Sequence, residues 1–91
     1  MKYRLVIRSG AQQEIDKHIS SGNKALLKKL FRLLEELEVH PRTGTGKPER
    51  LKYQTSEVWS RRINDQHRLV YEILEHIITV EIVHVYGHYS Q

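Results

Sequence analysis

"HRLVYEILEHIITVEIVHVYGHY", His67–Tyr89, decides how this chain folds. It holds two β-rich runs, "HRLVYEILE" and "IITVEIVHVYGHY", parted only around Glu75-His76. A parallel return needs a crossover of a dozen or more residues, so these runs must pair antiparallel. Upstream, "EVWSRRI" (Glu57–Ile63) is joined to them by "NDQ", and "RLKY" (Arg50–Tyr53) precedes it across "QTS". The expectation is an antiparallel meander of three to four strands. Strand parity sets Leu69, Tyr71 and Ile73 on the core face, and Arg68, Val70, Glu72 and Leu74 on the other. In the last run His84, Tyr86 and His88 share one side, and Val83, Val85 and Tyr89 the other, unless Gly87 introduces a bulge.

The N-terminal half has a different period. "KYRLVIRS" alternates Tyr3, Leu5 and Ile7 with Arg4, Val6 and Arg8, as a half-buried strand does. Ser9, with Gln12 three residues on, is a capping-box start for a helix running to about Ser20, and Ser21-Gly22-Asn23 breaks it. From Lys24 to Val39, Leu26, Leu27, Leu30, Phe31, Leu33, Leu34 and Leu37 recur at spacings of three and four, one wide face of an amphipathic helix that Pro41 ends. The order strand, two helices, strands gives an α+β fold, residues 1–91 as a single domain, with both helices on one face of a twisted sheet. The other face is then free to work.

With 91 residues the core is thin, and no cysteine supplements it. No apolar run approaches the ~20 residues of a membrane span, and "MKYRLVIRSG" turns before a signal-peptide core could form, so a soluble, cytoplasmic protein with no membrane partner is expected. The net charge is +4 and the sequence pI near 9.5, which favours a polyanionic or acidic partner. Residues 42–71 carry seven basic and three acidic groups, and this block includes the Gly/Pro/Thr-rich loop His40–Pro48.

That loop, with "TGTGKPERLKY" (Thr43–Tyr53), invites a phosphate-loop reading that fails. The Walker pattern needs a glycine five residues before Gly46-Lys47, where Pro41 stands, and a hydroxyl after Lys47, where Pro48 stands. A metal site fares no better. His84 and His88 on a strand, four residues at ~3.3 Å each, lie about 13 Å apart, and there is no HExxH pattern. Neither a metal nor another cofactor is expected. What remains is Glu49 at the end of a basic loop, Lys52, Arg61, Arg62 and Arg68 on the strands after it, and His88-Tyr89 at the end of the last. Metal-free RNA cleavage needs a base for the 2′-hydroxyl, an acid for the leaving 5′-oxygen and cations for the phosphate, and these residues supply all three. Trp59, in mid-strand, reads as core, Tyr3 and Tyr71 as packing, and His67 as a surface residue.

"GKPERL", "WSRRI", "HRLVY" and the near-terminal "HY", in this order and at these intervals, resemble the YoeB-type toxins of bacterial toxin–antitoxin systems, within the RelE/ParE superfamily. The resemblance implies a RelE-like fold and a ribosome-dependent endoribonuclease that cuts mRNA in the A site, silenced by a YefM/Phd-like antitoxin, with room for a homodimer. It implies Glu49 as general base, Arg68 as the transition-state arginine, His88 as general acid and Tyr89 as the residue that positions the RNA. Lys52 and Arg62 match phosphate-binding positions, and Lys47, Arg50 and Arg61 are contributors to the ribosomal contact. Where well-known members place an arginine and an aromatic before the final His-Tyr, Tyr86 and Gly87 stand here. The alternative is a ParE-like toxin of the same fold that inhibits a protein target without catalysis.

Overall fold

The computed structural model describes residues 2–88. Its first strand, β1 (Arg4–Ile7), runs directly into helix α1 (Ser9–Ser21). The expected capping box does not form: Arg8 holds the cap position in extended conformation, no side chain caps the helix, and the Gln12 amide donates to Asp16 Oδ1 instead. The reason is local. The Arg8 N–H still donates to Ile82 O, so the chain stays extended through Arg8 and Ser9 becomes the first helical residue. Gly22, at φ 73°, closes the helix in the left-handed conformation, where a Cβ would be strained. Asn23 then caps α2 (Lys24–Leu37), its Oδ1 accepting from Leu26 N at 3.1 Å.

The leucine stripe of α2 behaves as its spacing predicts. Leu26, Leu30, Leu33, Leu34 and Leu37 are buried, each worth about 2 kcal/mol of burial, while Phe31 sits at the margin and stays 45% exposed. α2 stops at Leu37, and Glu38 O accepts from Tyr3 N at 2.7 Å, tying the end of the helix to the start of the sheet.

Four further strands follow: β2 (Glu49–Arg50), β3 (Val58–Arg62), β4 (Arg68–Leu74) and β5 (Thr79–His84). The sheet order is β1-β5-β4-β3-β2. β2 to β5 form the expected antiparallel meander, and β1 adds to it in parallel alongside β5, making the sheet mixed. Both helices lie on one face, over Leu69, Tyr71, Ile73, Val80 and Ile82, with Trp59, Tyr3 and Leu5 packed at the edge of that core. On the opposite face Leu51, Val58, Val70 and Val83 make a small apolar cluster, to which no helix among the described residues contributes.

Two strand expectations need correction. "RLKY" is a strand only at Arg50: Leu51 N still donates to Val58 O at 2.8 Å, but Lys52 and Tyr53 form a turn, with Tyr53 at φ 63°, and the strand goes no further. Val83 and Val85 do not share a face. Val70 pairs with His84 but Tyr71 with Ile82, so one extra residue, Val83, bulges into the open-face cluster while Val85 returns to the main core. The bulge lies inside β5, not at Gly87.

Candidate active site

One row of paired residues crosses the open face: Glu49 on β2, Ser60 on β3, Val70 on β4 and His84 on β5. In an antiparallel sheet paired side chains project to the same face, so Glu49 and His84 stand at the two ends of one line. The next row pairs Arg62 with Arg68, and Arg68 Nε donates to Ser60 Oγ at 2.7 Å, which lays the guanidinium over the buried serine between Glu49 and Val70. Beyond it a cleft of about 230 Å³ is walled by Glu14, Arg68, Val70, His84, Tyr86 and His88. Arg68 and His88 therefore meet in one cavity. Glu49 is not in its wall; it is exposed on the same face, two strands from Arg68, or about 10 Å at the backbone.

The other sequence-derived positions divide. Lys52 is exposed on the turn after β2, and Lys47, at φ 51°, is exposed beside Arg62, whose N–H donates to Gly46 O at 2.7 Å. Arg62 is exposed and ion-paired with Asp65. Arg50 pairs with Trp59, so it lies on the helix side of the sheet, away from Glu49's face. Tyr89 lies outside the described residues.

Arg61 is a correction. Its side chain is 0% exposed, and no outside phosphate can reach it. All five guanidinium N–H groups are used inside: Nε donates to Tyr71 Oη, one terminal nitrogen to Glu36 and Thr45 O, and the other to His40 O and Thr43 O. Tyr71 in turn donates to Pro41 O at 2.7 Å. The loop His40–Pro48 is thus a ring of carbonyls around a cation, the reverse polarity of a phosphate cradle. Burial of Glu36 works against its charge, but donation from the Thr45 N–H and hydroxyl and from Arg61 outweighs it, so the carboxyl lies below its usual range. Gly44, at φ 118°, is required where it stands, since a Cβ there would come within 2.0 Å of Glu36 Oε1.

Three side chains at the other end of the face escaped the sequence reading. Glu14 Oε1 accepts from Val85 N at 2.8 Å, and Glu14 Oε2 lies 3.5 Å from His84 Nδ1. His18, buried on α1, has Nε2 2.7 Å from Val85 O. His67, expected at the surface, is partly buried, and its Nδ1 accepts from Gly87 N at 2.8 Å. Its ring sits 4.7 Å from that of His18 and 4.6 Å from that of Tyr86. Burial first, then the neighbouring His18 and His88, push the His67 pKa below its usual value. A sequence signal for His18 existed: with Ala11 and Ile15 it continues the buried stripe of α1.

A sheet face with a carboxylate on one strand and an arginine–histidine cleft two strands away meets a specific sequence match. Residues 12–89 fit the profile of the YoeB-like toxin of bacterial type II toxin–antitoxin systems. The chain belongs to that family. It is 48% identical over 54 residues to the toxin YoeB of Synechocystis sp., a match covering 59% of this chain and 63% of that protein's length. Its fold superposes on the YoeB dimer structure from Staphylococcus aureus with a TM-score of 0.80 at 30% identity, over 98% of this chain and 100% of the other. The YoeB–YefM complex from Staphylococcus aureus matches with a TM-score of 0.77 at 31% identity, over 98% of this chain and 100% of that one. The stretch shared with the YoeB-like profile takes in Glu14, Glu49, Arg68 and His88 alike.

Proposed function

We propose that this YoeB-like toxin is an endoribonuclease that acts in the cytoplasm on mRNA in the ribosomal A site and so arrests translation. The observation that carries the reading is the placement of Arg68 and His88 in one cleft, with Glu49 on the same face of the sheet. The Glu49 carboxylate takes the proton of a 2′-hydroxyl, and the freed oxygen attacks the adjacent phosphorus. Arg68 faces the charge that gathers on the phosphate oxygens, with Arg62, Lys52 and Lys47 along the approach. His88 gives a proton to the departing 5′-oxygen, leaving a 2′,3′-cyclic phosphate. One proton passes from the RNA to Glu49 and one from His88 to the RNA, so the step as proposed calls on no metal ion or other cofactor. Tyr89 is assigned to positioning the RNA by family resemblance alone.

A YefM-like antitoxin is the proposed protein partner and a homodimer the proposed assembly, supported by the Staphylococcus aureus complex and dimer that the fold matches. In a translating extract, Glu49→Gln and His88→Ala should each lower mRNA cutting by about 10²–10⁴-fold, while antitoxin binding and the melting temperature hold. Cutting at the wild-type rate in both variants overturns the assignment, and growth arrest by a toxin that cuts no RNA would favour a ParE-like binder. Ribosome association should also weaken steeply as salt rises.

A further inference from the structure

After His84 the chain leaves the β5 ladder, and side chains take over most of the backbone groups of Val85 and Gly87. The N–H of Val85 donates to Glu14 Oε1 at 2.8 Å, and its carbonyl lies 2.7 Å from His18 Nε2. Two residues on, the N–H of Gly87 donates to His67 Nδ1 at 2.8 Å, and its carbonyl accepts from Arg68 N at 3.0 Å. The ring of Tyr86 between them stacks on His18 at 4.9 Å and leans on His67, with Lys17 Nζ 5.0 Å from its centroid. None of Glu14, His18 or His67 is needed for the chemistry proposed above, yet together they fix the segment on which His88 is carried.

We propose that His67 is a positioning residue, which with His18 and Glu14 holds Gly87 so that His88 faces Arg68 across the cleft. The proposal rests on the endoribonuclease reading for its kinetic consequence, although the clamp itself is a feature of the fold. A peptide N–H only donates, so His67 Nδ1 must offer a lone pair and the ring must be neutral, with its proton on Nε2. Protonation would set one N–H against another and free the Gly87 N–H, leaving Gly87 held by its carbonyl on Arg68 N alone. The groups facing His67 are His18 from α1, Tyr86 and His88 from the tail, and Arg68 as its chain neighbour; Lys17 and Glu14 stand behind Tyr86 and Val85. Burial and the two histidines disfavour the charged ring, so the clamp is closed at neutral pH and opens as pH falls below the ordinary histidine value of 6.5.

The test compares His67→Leu, which removes the acceptor at similar volume, with His67→Asn, whose Oδ1 reaches the place of Nδ1. Cleavage on programmed ribosomes is measured from pH 5.5 to 8 at saturating and sub-saturating toxin, alongside antitoxin binding, melting temperature and Gly87 amide exchange. His67→Leu should cut about 10²-fold more slowly at saturation, with its half-saturating concentration within about twofold of wild type, because misplacing a reacting group costs turnover before binding. His67→Asn should restore most of the rate and flatten the acid limb of the pH profile. Wild-type cutting by His67→Leu, or no gain from Leu to Asn, overturns the proposal. Should wild-type toxin cut no RNA, the endoribonuclease reading falls; the clamp is then judged on Gly87 exchange, which must be faster in His67→Leu than in wild type or in His67→Asn.

Discussion

Two segments without regular secondary structure flank the open face, and they are held by opposite means. The loop His40–Pro48, which leads to Glu49, closes around the buried Arg61 guanidinium and the Glu36 carboxylate. The tail Val85–His88 hangs on the imidazoles of His67 and His18, the Glu14 carboxylate and one backbone bond from Arg68 N to Gly87 O. A guanidinium keeps its charge at any pH a cell meets, whereas an imidazole changes state near neutrality. The proposed base is therefore mounted on a permanent lock and the proposed acid on a titratable one.

The largest effect should come from opening the permanent lock. Arg61→Met strands Glu36, Tyr71 and three carbonyls, and should cost about 3–5 kcal/mol, read as a lower denaturant midpoint. Gly44→Ala attacks the same loop from the backbone. The new Cβ displaces Glu36 from Thr45 and Arg61, and a loss of about 2 kcal/mol is expected in the same assay.

Acid should separate the two locks. His67 is depressed in the fold, so its contribution is full above 6.5 and is lost as pH falls through its lower folded value. Glu36 is also depressed, but from 4.5, so the loop's contribution is full above 4.5 and fails only below it. Amide exchange followed from pH 7 to 4 should show Gly87 deprotected before Thr45; simultaneous loss would erase the distinction. The smallest effect belongs to Arg42, whose guanidinium forks onto Glu57 at 2.7 and 3.0 Å at a half-exposed site. Arg42→Met should cost about 1 kcal/mol and leave both locks in place.

The regular parts of the molecule were legible because their burial follows a period. The α2 leucines and the alternation of Leu69, Tyr71 and Ile73 need only spacing to be assigned, and the meander needs only short connections. The locks were not, since both rest on polar residues doing what composition assigns to solvent. Arg61 beside Arg62 looks like one more surface cation, and only three-dimensional closure of the loop shows that its donors are all spent inside. The bulge at Val83 defeated parity in the same way: nothing in "VEIVHV" marks the extra residue, and its position is set by pairing with Val70 and Tyr71. Of the residues assigned to the site, Arg68 and His88 converge, Glu49 shares their face, Arg50 is exposed on the other face, and Arg61 is buried away from any of them.

The parallel pairing of β1 with β5 also has a kinetic side. Arg4 finds its partner in Thr79, roughly 75 residues later, so the first strand made is among the last to be satisfied. At about 5–20 residues per second of synthesis, β1 waits some ~4–15 s as an unpaired edge, and closing so long a loop makes this step slow among small domains. The last strand to arrive also carries the chain into the segment that holds His88. While the chain is still being made, completion of the fold and assembly of the proposed cutting site become one late event.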